Sequence, residues 1–293
     1  MGTRGAAASE SQAPRPVAKR RCRSKAKPEA KRLNILVTGF SDWRDTADNV
    51  WRCRDNPSSR LLVGESCAAP PLERRGALVR ALSAALPDCS FNFQVLATTW
   101  GTANGLDYSG YDLVLHIGLG VYDSTSRLVL ERGVYNMRNG KPDAARDCRS
   151  GALVEGAGST LAFDLMAGRL QELVSSAALP HSFELVVKPA RPKNTFICNE
   201  THHRALSAVA AGAASGGATP GPAAAYFLRA PAGPNPRVLP PNAPRHHTCS
   251  SKPRPASADI PHPADDDPEY QRLGGAVAAL LQRMVELESS RPG

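Results

Sequence analysis

From residue 33 onward the chain switches between two hydrophobic rhythms. "LNILVTGF" (33–40) is a short apolar, β-branched run ending in Thr-Gly, which predicts a buried strand entering a sharp turn. "FNFQVLAT" (91–98), "YDLVLHIGLG" (111–120), "SFELVVK" (182–188) and "AAAYFLRAP" (223–231) predict further strands, and "RLVLERGVYN" (127–136) alternates as a strand or strand-loop does. Between them, "LERRGALVRALSAAL" (72–86) and "STLAFDLMAGRLQELVSSA" (159–177) carry apolar residues at helical spacing. A helix opens at Cys198 and runs to about Ala211, and "EYQRLGGAVAALLQRMVELE" (269–288) predicts a terminal helix despite its Gly pair. Strands alternating with helices predict an α/β fold: a single three-layer α/β/α domain with a mostly parallel central sheet.

Two regions break the rhythm. "AAGAASGGATPGPAAA" (210–225) reads as a flexible loop, and about 230–268 is rich in Pro, Asn, His and Ser, which predicts an irregular insertion. The expected organisation is therefore a disordered tail over 1–32 and a domain over 33–289 with that insertion inside it. The 25 prolines and 24 glycines agree with such loops.

Charge changes the picture only at the start of the chain. Of the net charge of +9, residues 1–32 carry +8, from ten Lys/Arg and two Glu. The domain is nearly neutral, so no nucleic acid is expected to bind it; the tail is a contact or targeting segment, or a solvated arm. Seven cysteines (22, 53, 67, 89, 148, 198 and 249) are scattered and form no CxxC, which argues for a reducing compartment and against a disulfide framework. No apolar run is long enough to span a bilayer and no signal core follows Met1, so a cytoplasmic protein without a membrane partner is expected. Nuclear import through "KRRCRSKAKPEAKR" and a homo-oligomer both stay open.

The chemistry concentrates in "TFICNETHHRAL" (195–206). Cys198 reads as a buried core thiol, as a metal ligand with His202, His203 and the distant "HHTC" (246–249), or as a nucleophile at a helix N-terminus. There, unsatisfied N–H groups and the helix dipole favour thiolate. The ligand spacing is loose for a metal site, and neither metal nor cofactor is expected. Glu131 reads equally as half of a surface pair with Arg132, and Phe40 and Trp43 as core aromatics.

Taken in order, these segments resemble the pyroglutamyl peptidase I family, cysteine omega-peptidases that remove N-terminal pyroglutamate. The resemblance rests on "ILVTGFSDW", "NPSSRLL" (56–62), "DLVLHIGLG" with "LERGVYN", "TFICNETHHRAL" and "AYFLRAP", and covers about residues 33–231 in patches. It implies Cys198 as nucleophile, Glu131 as the acidic member of a Cys-His-Glu site, and Phe40 and Trp43 sandwiching a lactam ring on peptides with N-terminal pyroglutamate. A flat, neutral lactam suits aromatic faces, and lacking an ammonium it needs no carboxylate to hold it.

The chain departs from the family pattern where that pattern has histidine and this sequence has Arg229. Arginine stays protonated and cannot serve as a general base. His202, one helical turn after Cys198, is the candidate substitute, against a plain packing role. Lys193-Asn194 and Leu119 replace the family's Ala-Gly and a glutamine, and the chain between Thr98 and Tyr111 is too short for the family's helix. The resemblance thus implies a peptidase with an altered site, or a catalytically inactive relative that binds.

Overall fold

The computed structural model describes residues 32–44, 50–51, 56–63, 75–121, 123–161, 163–215, 221–231 and 267–291. The expectations for the basic tail up to Lys31 and for the Pro-rich insertion over 232–266 lie outside the described residues.

Strand β1 (Asn34–Phe40) is followed by two short pieces, β2 (Trp43–Arg44) and β3 (Val50–Trp51), which pair antiparallel. Helices α1 (Pro57–Val63) and α2 (Ala77–Ala85) precede β4 (Ser90–Leu96) and β5 (Leu113–Val121). Next come β6 (Arg127–Arg132), β7 (Val134–Tyr135), β8 (Arg138–Pro142), β9 (Cys148–Gly151) and β10 (Thr160–Leu161). The chain continues through α3 (Ala167–Ser176), β11 (Glu184–Pro189), α4 (Ile197–Ala214), β12 (Ala224–Pro231) and α5 (Pro268–Ser289).

Six strands form the central sheet in the order β11-β6-β12-β5-β1-β4. Four of its five pairings are parallel; β12 meets β6 antiparallel, so β6 and β11 run against the other four. The mostly parallel sheet read from the sequence is present, with one reversal that alternation of elements does not encode.

Strand pleating sends alternate residues to opposite layers. On one face Ile35 and Val37 are buried, and a Cβ at Gly39 would lie 2.1 Å from the Ser58 carbonyl oxygen of α1. That approach is what the glycine of "VTGF" permits. Asn56 caps α1 by accepting from the amide and hydroxyl of Ser58 (3.1 and 2.9 Å) and ties it to the end of β1 by donating to the Ser41 carbonyl (2.9 Å). Helices α2 and α5 pack together in this layer, with Leu273, Val277, Leu280, Leu281 and Met284 buried. The Gly pair of α5 is explained here: a Cβ at Gly274 would meet Ala77 of α2 at 2.9 Å. On the other face α4 lies over β5 and β12, completing the third layer.

Two elements differ from the sequence reading. The helix expected from 159 begins only at Ala167, because Thr160 and Leu161 pair with β7. The Phe163 ring, which continues the helical apolar pattern, packs edge-on against Tyr135 (5.6 Å between centroids), so a tertiary contact takes these residues from the helix. Residues 102–105 form a single 3-10 turn between β4 and β5, in keeping with the short segment noted in the sequence. Helix α4 runs three residues past Ala211.

Gly39→Ala is expected to cost about 1–3 kcal/mol, since α1 must retreat from its capped position. Urea unfolding checks this, and an unchanged midpoint would mean that α1 does not sit so close to β1.

Candidate active site

The face covered by α4 carries Thr38 and Phe40 from β1, His116, Gly118 and Gly120 from β5, and Phe227 and Arg229 from β12. These residues alternate with those facing α1, so one register places them all in one layer. The two glycines make the layer possible. A Cβ at Gly118 would lie 2.6 Å from the Phe227 ring and 3.4 Å from Cys198 Sγ, and one at Gly120 would lie 2.8 Å from Arg229.

Cys198 stands in the first turn of α4, as the sequence reading had it. Its neighbours fix that turn. Asn199 accepts from the Tyr135 amide (3.0 Å) and donates to the carbonyls of Tyr135 (2.8 Å) and Met137 (3.2 Å). Buried Glu200 accepts from the Gly101 amide (2.8 Å) and from Arg138 (3.2 Å). The two residues after the cysteine therefore clamp the loops on either side of it.

Arg229 donates to Glu131 Oε1 at 2.6 Å, both side chains largely buried. Glu131 arrives from the antiparallel strand: Arg229 lies opposite Val129, two residues before Glu131, so the pair is diagonal on one face. The guanidinium carbon also lies 5.8 Å from the Phe227 ring centre. Removing either charge would leave the other buried, which typically costs 3–5 kcal/mol.

The thiol does not behave as the helix N-terminus alone would have it. Cys198 is partly exposed as a residue, yet its pKa is pushed up from 9.0 to about 11, chiefly by burial. The charge of Arg229 lowers it and that of Glu131 raises it, so the two charges of the pair act against each other. The thiolate expected from the helix position gives way to a protonated thiol near neutrality.

His202 shares α4 with Cys198 but is 1% exposed and packs among aromatic rings, 5.6 Å from Phe227 and 6.4 Å from His116 between centroids. Its Nδ1 and His116 Nε2 are buried without a hydrogen-bond partner, while His116 Nδ1 meets the Thr38 hydroxyl at 2.7 Å. Burial drives the pKa of His116 from 6.5 to about 3; that of His202 falls well below its ordinary value through burial first, then the charges of His116, His203 and Arg229. Among the described residues, no imidazole hydrogen-bonds to Cys198 Sγ. His246 and His247 lie outside the described residues, and no group of three or more His, Cys, Asp or Glu among those described could hold a metal ion.

Cys198 and Arg229 open on a cleft of about 660 Å3 lined also by Phe40, Trp43, Asn56 and Thr98. The structure thus brings Cys198, Arg229, Phe40 and Trp43 to one cleft, with Glu131 behind Arg229, and buries His202 beneath. Sequence reasoning missed the far walls. Trp100 stacks edge-on against Phe196 (5.2 Å), and its indole N–H donates to the Lys141 carbonyl (3.0 Å). Its amide donates to Asp143 (2.8 Å), which also accepts from the amides of Ala145 and Asp147. These bonds hold the β8–β9 hairpin against the cleft. The only signal was Phe196 beside the cysteine.

No protein-family model and no curated protein matches the sequence. Solved structures do. The pyroglutamyl peptidase I from Bacillus amyloliquefaciens matches with a TM-score of 0.51 at 16% identity, over 86% of this chain and 96% of that one. A mutant pyrrolidone carboxyl peptidase from P. furiosus matches with a TM-score of 0.51 at 15% identity, over 87% and 99%. The chain therefore has an α/β fold like that of pyroglutamyl peptidase. No helix among the described residues is long and apolar enough to cross a membrane.

The two buried imidazoles set an acid limit. In the unfolded chain both would titrate near 6.5, so below that pH the unfolded state binds up to two protons that the folded state refuses, and stability is lost as pH falls. The expected slope below pH 6 is roughly 2–3 kcal/mol per pH unit from the pair, about half of it removed in His202→Gln. Urea unfolding between pH 7.5 and 5 measures it; a flat profile would show that the imidazoles accept protons in the fold.

Proposed function

We propose that the cleft binds the N-terminal pyroglutamyl residue of peptides and turns the adjoining amide over slowly or not at all, as a cysteine omega-peptidase site deprived of its base. The observation that carries this reading is the 2.6 Å pair between Arg229 and Glu131 beside a thiol that no described imidazole reaches. Cleavage of an amide needs a proton removed from the thiol and one delivered to the leaving amine. Arg229 can neutralise charge but transfers no proton at neutral pH, and a thiol with a pKa of about 11 is almost wholly protonated there.

Binding is better provided for than chemistry. Phe40 and Trp43 line the cleft, and aromatic side chains suit a flat ring. No Asp or Glu is among the described residues lining the cleft, so a free α-ammonium has no anionic partner among them, whereas a lactam requires none. A working peptidase is the second reading, favoured by the position of Cys198 in the first turn of an 18-residue helix opening on the cleft.

Two measurements decide between them. Calorimetry should show wild type binding a pyroglutamyl peptide, while release of fluorophore from a pyroglutamyl amide should be about 10²–10⁴-fold slower than in Arg229→His, whose imidazole would have Glu131 to orient it. Wild-type turnover at or above that of Arg229→His would overturn the binding-only reading in favour of the peptidase. Absence of binding to any pyroglutamyl peptide would remove both.

A further inference from the structure

The walls of the cleft beyond Cys198 have an electrostatic character of their own. Lys141, Arg191 and Lys193 line it, all three side chains exposed, and none forms an ion pair with a described residue. Their backbones are held. The Lys141 carbonyl accepts from the Trp100 indole (3.0 Å) and its amide donates to Asn139 Oδ1 (3.1 Å). Lys193 belongs to the 3-10 turn Pro192–Asn194, closed by the Thr195 hydroxyl on the Pro192 carbonyl (2.9 Å), and that turn meets the hairpin through the Asn139 amide on the Thr195 carbonyl (3.0 Å). Three cations therefore stand on two walls fixed to each other and close to α4.

Two residues lining the same cleft each carry a buried polar atom without a partner. Asn139 Nδ2 is one; because Oδ1 already accepts from Lys141, the free end of that amide is a donor. The Thr98 hydroxyl, on a residue 4% exposed, is the other. Buried polar groups are seldom left unbonded, which sets Asn139 and Thr98 apart among the residues lining the cleft. Cations, with no carboxylate among the described lining residues, call for a ligand rich in acceptors and negative charge.

We propose that the cleft selects acidic peptides, those with carboxylates in the residues directly after the cyclised N-terminus. This rests on the pyroglutamyl reading for the first residue and adds the chemistry of the following ones. The lactam end lies between Phe40 and Trp43, and the chain passing Cys198 meets Thr98, Asn139 and then the three cations. The carboxylates interact with exposed cations, so the preference is graded and salt-sensitive.

The test is calorimetry on the full chain with four C-terminally amidated tetrapeptides: pGlu-Glu-Glu-Ala, pGlu-Gln-Gln-Ala, pGlu-Lys-Lys-Ala and Pro-Glu-Glu-Ala. At low salt the first should bind roughly tenfold more tightly than the third, with the glutamine peptide between them. That spread should shrink to about twofold in 0.5 M salt and reverse in sign in the double variant Lys141→Glu, Lys193→Glu. Equal affinity for all three pyroglutamyl peptides overturns the acidic selectivity and leaves the pyroglutamyl reading standing. If the proline peptide binds as tightly as pGlu-Glu-Glu-Ala, the pyroglutamyl reading falls and the acidic selectivity stands. If no pyroglutamyl peptide binds, both fall.

Discussion

The buried contact between Arg229 and Glu131 organises everything around the cleft. Two opposite charges taken from water are tolerable only when paired at close range, and here the carboxylate oxygen lies 2.6 Å from the guanidinium. The Arg229 side chain also passes close over β5, which is possible because position 120 is glycine. Glu131 must come from a strand running the other way and reach diagonally. The antiparallel insertion of β6 beside β12 thus decides that this acid meets this base. Each charge compensates the other, leaving burial to govern the neighbouring thiol.

Cys198 and His202 stay apart chemically despite standing one turn apart on α4, because the His202 ring packs against Phe227 and His116. Two neutral imidazoles are tolerated there at the expense of acid stability, each with a nitrogen left unbonded. The functional reading and the stability reading therefore share one cause, the burial of the layer between α4 and the sheet.

Much of this was legible in the chain. The apolar run of "NILVTGF", the glycines of "HIGLG" and the helix opening after "TF" placed β1, β5 and α4 correctly, because each signal is local and repeats at the period of its element. Strand direction was not legible, since nothing local in "RLVLER" says which way it runs beside β12. Nor were the cleft walls: Arg138–Pro142 and Cys148–Gly151 are polar throughout and carry no alternation, and their hairpin is held by Trp100 and Asp143 through bonds spanning some forty residues. The thiolate expectation failed for a related reason. A helix N-terminus is visible in sequence, while the residues packed around the sulfur, Phe40, Leu96 and Phe227 among them, come from strands distant in the chain.

The ionisation of Cys198 tests this account most directly. Thiolate absorbance near 240 nm, titrated in wild type and in Cys198→Ser, isolates this sulfur from the other six cysteines by difference. A buried thiol beside a self-compensating ion pair predicts half-ionisation at about 11. Half-ionisation below about 8, in the range of activated nucleophilic cysteines, would contradict it and show that Arg229 serves the thiol instead of Glu131.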